Sequence, residues 1–196
     1  MKLGKPLLII FGLLGLHGES ARAQKVEVHV VMDTSKALPG SDTIYYDPNR
    51  KLTWDDFQGR PELNSPAGAA TASGFGYRFT GENDGTKVTI ILTVHTYFLK
   101  KNSWKKPGTQ LPYHLQHEQI HFDITRLGAE KLVTEFRNGV YTAANYSQII
   151  KNIYGKVNVE TIARQQQYDL QTRNSREVEM QAEWNGKISK EVEALQ

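Results

Sequence analysis

The chain has 196 residues, enough for one domain with its own hydrophobic core. With 23% charged and 10% aromatic side chains it reads as neither disordered nor polytopic in a membrane, and zero cysteine excludes a disulfide framework. The formal charge of +3 makes no case for nucleic acid, because part of it belongs to the extreme N-terminus.

There Lys2 and Lys5 precede an apolar run from Leu7 to Leu16, and Ala21-Arg22-Ala23 follows. This is the order of a cleavable export signal, with cutting expected after Ala23 and a secreted or periplasmic product. The apolar run is about half of what a spanning helix needs, so no membrane span is expected after cleavage. Loss of Lys2, Lys5, Arg22 and Glu19 leaves 21 basic and 20 acidic side chains, a net charge of +1.

From 24 to about 100 the pattern is strand-like. Val26, Val28, Val30 and Met32 alternate with Lys25, Glu27, His29 and Val31, and a second alternation runs through Val88, Ile90, Leu92, Val94 and Thr96. Asn83-Asp84-Gly85 predicts a hairpin joining roughly 71–81 to 87–98. The lysines at 100, 101, 105 and 106 around Trp104 read as a solvated turn.

From about 110 the spacing becomes helical. Leu115, Ile120, Ile124, Leu127, Leu132 and Phe136 recur at three and four residues over 112–138, and Asn138-Gly139 stops the run. A second helix is expected over about 145–173, with a possible break at Gly155, and a third from about Ser175 onward. Strands first and helices afterwards give an α+β class. The expectation is one domain over 24–196, a small antiparallel sheet packed against about three helices.

Inside the first helix stands His117-Glu118-Gln119-Ile120-His121, an HExxH sequence. Four residues turn a helix by about 400°, so both imidazoles leave nearly the same face and can converge on one ion. Zn2+ suits neutral imidazole nitrogen in a tetrahedral site, and Glu118 beside it can serve as general base toward water. In a chain of this composition the motif arises by chance with a frequency on the order of 0.01.

His114 stands one turn before His117 on a similar face, where it can be a ligand, a positioning group or a surface histidine. His95 lies in the predicted second alternation, a packing position more often than a ligand. Asp123 is about 200° around the helix from His121, which argues against ligation to the same ion. Tyr168 is a candidate donor to a substrate oxyanion, against core packing as the more ordinary role of a tyrosine in a helix.

The string LQHEQIHFDITRLGAEKL, with LTWDDFQGRP and GAATASGFGY upstream, Ser103-Trp104, and downstream YDLQT followed by Gln181-x-x-Trp184, resembles the bacterial "domain of unknown function 922" family. Its members are described as secreted zinc-dependent proteases. The resemblance implies a zincin-like fold with HExxH on the first long helix, His117 and His121 as metal ligands, Glu118 as base, and a peptide or protein substrate. The family signature Tyr-Asp-x-x-Thr-x-His would supply a third ligand, but here Asn174 stands at the His position. Asp169 is then the first candidate for that place, with Asn174 and Glu177 as alternatives. Loss of the His also motivates a second expectation, a catalytically impaired exported binding domain.

Overall fold

The computed structural model describes residues 24–35 and 38–195; the segment read as an export signal lies outside the described residues. The thirteen-residue strand β5 (Lys87–Leu99) is the spine of the sheet. Along one side runs β4 (Ser73–Asn83), antiparallel, the hairpin that the Asn-Asp-Gly turn announced. The other side is shared by β1 (Lys25–Met32), which pairs with residues 87–94, and β2 (Thr43–Tyr45), which pairs with residues 97–99.

The expected antiparallel sheet is corrected by β1, which runs parallel to β5 and makes the sheet mixed. A period of two specifies which face a side chain occupies and says nothing of strand direction. Residues 33–72 separate β1 from the hairpin, a connection long enough to return the chain in either sense.

Beyond β5, the short β6 (Trp104–Lys105) pairs with β3 (Ala69–Ala70). Three helices follow: α1 (Pro112–Asn138), α2 (Tyr146–Thr172) and α3 (Val178–Glu193). Pro112 takes the first turn of α1, where its fixed φ fits and its missing N–H costs nothing. α2 continues through Gly155 without a break. Nothing lies within 4 Å of a Cβ built there, so this glycine serves no close approach.

The even-numbered residues of β5 face the helices. Val88, Ile90, Leu92 and Val94 meet Ala129, Leu132, Val133 and Phe136 of α1 and Ile150 and Val157 of α2 in one cluster. A second cluster, Ile120, Ile124, Tyr168, Trp184, Ile188 and Val192, joins the three helices to one another. A third gathers Ile44, Leu52, Phe57 and Phe98 on Phe122. Full burial of each large aliphatic or aromatic side chain stabilises by about 1.5–3 kcal/mol, so α1, a member of all three clusters, is the best-anchored helix.

At Gly128, α1 packs tightly against Thr161 of α2 and Phe75 of β4. A Cβ there would overlap the side chain of Thr161 and stand 2.8 Å from Phe75 Cε1, so the crossing requires glycine. Among the described residues no helix is long and apolar enough to cross a membrane.

Candidate metal centre

His117 and His121 lie on the inward face of α1, and Asp169 reaches them from α2. Asp169 Oδ1 stands 3.2 Å from His117 Nε2 and 3.0 Å from His121 Nε2, and the two Nε2 atoms are 3.2 Å apart. Among the described residues these three form a group that can hold a metal ion, each offering one ligand atom within 4.8 Å of the others.

The far side of each ring is also engaged. His117 Nδ1 lies 2.8 Å from Oε1 of Gln181 on α3, and His121 Nδ1 meets Oε1 of Gln165 on α2. With Nδ1 donating to an amide oxygen, each Nε2 presents a lone pair to the centre. Two imidazole lone pairs and a carboxylate oxygen then converge with no proton between them, a donor set that fits a cation.

Electrostatics agree. Burial alone would push the His121 pKa down, but the hydrogen bond and negative charge of Asp169 outweigh it and the net shift is upward. Burial would raise Asp169, yet the two imidazoles, when protonated, donate hydrogen bonds to it and hold it well below the usual carboxylate range. The pocket attracts positive charge.

Packing fixes the ligands. Tyr168 stacks on the His117 ring with centroids 4.5 Å apart and meets the His121 ring edge-on at 4.9 Å. Its own ring is fully buried in the cluster shared by the three helices. Its hydroxyl lies 3.4 Å from the carbonyl of His117 and accepts from Gln181 Nε2. Tyr168 is therefore absent from the pocket wall, which corrects its expected role as an oxyanion donor.

Glu118 is 4% exposed and lines the same pocket, a cavity of about 250 Å³. Its Oε2 lies 2.8 Å from the hydroxyl of Thr71, which also stands 3.1 Å from its carbonyl oxygen. Residues Ala67 to Thr71 form the opposite wall. Several bonds hold that wall in place. Ala72 N donates to Ser103 Oγ, Lys106 N donates to Gly68 O, and Ser73 Oγ pairs with Thr125 Oγ1 on α1. Ser103 is fully buried, so the Ser-Trp motif acts as a fastener for the strand facing Glu118.

The Leu-Thr-Trp-Asp-Asp-Phe motif has a similar role on the other side of α1. Asp56 closes a capping box with Thr53 and accepts from Arg50 at 2.7 Å, and Leu52 N donates to Gln119 Oε1 at 2.8 Å. Asp123 accepts from Tyr46 and Gln119 and takes no part in the metal group, as its helical phase required.

The turn between α2 and α3 is strained. Arg173, Asn174 and Ser175 are consecutive non-glycine residues with φ of 48°, 52° and 65°. Each such residue costs about 1–2 kcal/mol, and the run turns Asn174 and Ser175 into the pocket wall. Asn174 N donates to Asp169 O, and Ser175 Oγ lies 2.8 Å from Nδ1 of His114, which lines the same pocket. Glu177 caps α3 and pairs with Arg173 at 2.8 Å outside the metal group, so it is not the third member. His95 is on the outer face of the sheet beside Tyr45 and Tyr97.

Gln165 is the site residue that sequence reasoning missed. Its spacing of one helical turn from Asp169 was the available signal. No family model matches the chain, and no curated protein or solved structure matches it. The resemblance drawn from the motifs rests on those motifs.

Proposed function

We propose that this protein is an exported zinc-dependent metallohydrolase with a zincin-like arrangement, acting on peptide bonds. The single observation that carries the reading is the convergence of His117, His121 and Asp169 on one point in a pocket that Glu118 also lines. The set of two imidazoles and one carboxylate suits zinc, with a fourth position left for water or substrate. The resemblance to the domain of unknown function 922 family points the same way, and the apolar N-terminal run with its small-residue end supports export.

Zinc, when bound, supplies a Lewis acid that polarises a carbonyl and makes water more acidic. Glu118 accepts a proton from the attacking water and returns it to the leaving nitrogen. Thr71 holds one carboxylate oxygen of Glu118, which leaves the other for that transfer. Burial of Glu118 keeps competing water away from the exchange.

The test is elemental analysis of the purified protein together with hydrolysis of a quenched fluorescent peptide library. One zinc per chain is expected, with Glu118→Gln retaining zinc and losing at least ~100-fold in rate. Full activity in Glu118→Gln would sink the mechanism. A second reading is favoured by Asn174, which stands in the pocket wall where the resemblance places a histidine. On that reading the protein is an impaired binding domain, and the analysis finds no stoichiometric zinc.

A further inference from the structure

The amide of Gln165, behind His121, has a direction that the surrounding bonds dictate. Gln165 Nε2 donates to His121 O at 2.8 Å and to Thr125 Oγ1 at 3.0 Å. A flipped amide would set its oxygen against the carbonyl of His121, two acceptors in contact. Gln165 Oε1 must therefore face His121 Nδ1. Thr125 Oγ1 in turn lies 3.0 Å from the same carbonyl, so the shell closes on itself.

Gln181 makes the corresponding set of bonds on α3. The Tyr168 hydroxyl is directed at His117 O, which leaves its lone pair to accept from Gln181 Nε2, and that nitrogen also donates to Asn185 Oδ1 at 2.8 Å. Its oxygen is left for His117 Nδ1 at 2.8 Å. Gln181 is fully buried, so no water can take over this acceptor role.

We propose that Gln165 and Gln181 are positioning residues that lock His121 and His117 as their Nδ1–H tautomers and so set the affinity of the centre for a metal ion. The consequence for affinity rests on the metal reading above; the tautomers do not. Free imidazole favours a proton on Nε2, the atom that would have to bind the ion. Without an acceptor at Nδ1, an Nε2–H bonded to Asp169 would compete directly with metal.

Neutral amides also make weaker acceptors than the carboxylates that often back metal-bound imidazoles, so each ring is a weaker donor than it would be with a carboxylate behind it. Affinity is therefore held below what the same ligands would reach with carboxylates behind them. Gln181 further ties α3 to the centre, since it is the α3 residue bonded to a member of the metal group.

The experiment uses metal-free protein with isotopically labelled histidine at alkaline pH, where long-range proton–nitrogen NMR correlations distinguish the two neutral tautomers. Wild type should show the Nδ1–H pattern for both His117 and His121, and Gln165→Leu should move His121 to Nε2–H. Zinc affinity by chelator competition should fall ~10–100-fold in Gln165→Leu. An Nε2–H pattern in the wild type, or unchanged zinc affinity in a folded Gln165→Leu, overturns the proposal. Should Gln165→Leu fail to fold, Gln165→Met, which keeps the chain length and removes the acceptor, decides in its place, because zinc affinity equal to wild type in it refutes the proposal. If wild type binds no zinc yet shows the Nδ1–H pattern that Gln165→Leu abolishes, the positioning role stands and the metal reading falls.

Discussion

Asp169 and His121, on different helices, meet through a single pair of atoms, Oδ1 and Nε2, at 3.0 Å. The same oxygen stands 3.2 Å from His117, so one carboxylate completes the group that α1 begins. Asp169→Asn preserves the shape and removes the charge. Its zinc affinity should fall by more than the ~10–100-fold typical of an outer-shell partner, measured by chelator competition. Affinity equal to wild type would show that the third ligand lies elsewhere.

Asn174 already adopts a left-handed conformation that histidine also tolerates, and it shares the pocket with the metal group. Asn174→His therefore adds an imidazole at little backbone cost. Zinc should be held tighter by ~10-fold or more, about 1.4 kcal/mol, with no loss of thermal stability. A variant with unchanged affinity would mean that side chains at 174 do not reach the ion.

The parts of the site that were legible in sequence are those in which chemistry and spacing coincide. His117 and His121 share a helix face because they are four residues apart, and Asp169 was the nearest carboxylate to a missing histidine. Tyr168 left two readings open, oxyanion donor and core packing, because a phenol next to a motif aspartate has no sign saying whether it faces solvent or core; adjacent helix residues point about 100° apart, and the ring lies in the core. Gln165 carried only its spacing from Asp169, since a neutral amide becomes informative only when its partner is known. Strand direction was equally hidden in β1, whose alternation is the same whether it runs up or down β5. Gly155 suggested a break because an isolated glycine costs about 1 kcal/mol, yet Ile150 and Val157 on either side are buried deeply enough to carry α2 through.

At the end of β1, Asp33 is 8% exposed by side chain and pairs with Arg78 of β4 at 2.7 Å. Hydrogen bonds from Ser35, and then the Arg78 guanidinium, hold its pKa below the ordinary value of 3.8. A depressed carboxylate stabilises the fold above its unfolded pKa, and that contribution is lost as pH falls through the folded value. Arg78→Gln should therefore cost roughly 0.2–1 kcal/mol near pH 6, since Arg78 itself is largely exposed, and less near pH 2, as Asp33 moves toward its neutral form. Urea unfolding of both proteins at the two pH values checks this; an equal difference at both would place the effect in packing rather than charge.

Two helical glycines give opposite expectations for the same substitution. Alanine in place of glycine favours a helix by about 1 kcal/mol when nothing opposes it. At Gly155 nothing lies within 4 Å of the new Cβ, so Gly155→Ala should stabilise by about 0.5–1 kcal/mol. At Gly128 the Cβ would overlap Thr161 and approach Phe75 to 2.8 Å, which forces α1 and α2 apart within a close-packed core. Overpacking costs about 1–3 kcal/mol, enough to cancel the helical gain and leave Gly128→Ala destabilised. Because Gly128 lies on α1 seven residues after His121, and Thr161 on α2 eight before Asp169, the same separation should loosen the metal group. Thermal unfolding of the two variants with and without added zinc tests both halves. Gly155→Ala should keep the full zinc-induced rise in Tm, and Gly128→Ala should show a smaller one. Thr161→Ala in the Gly128→Ala background removes the principal clash and should recover part of both losses; no recovery would refute the close crossing as their cause.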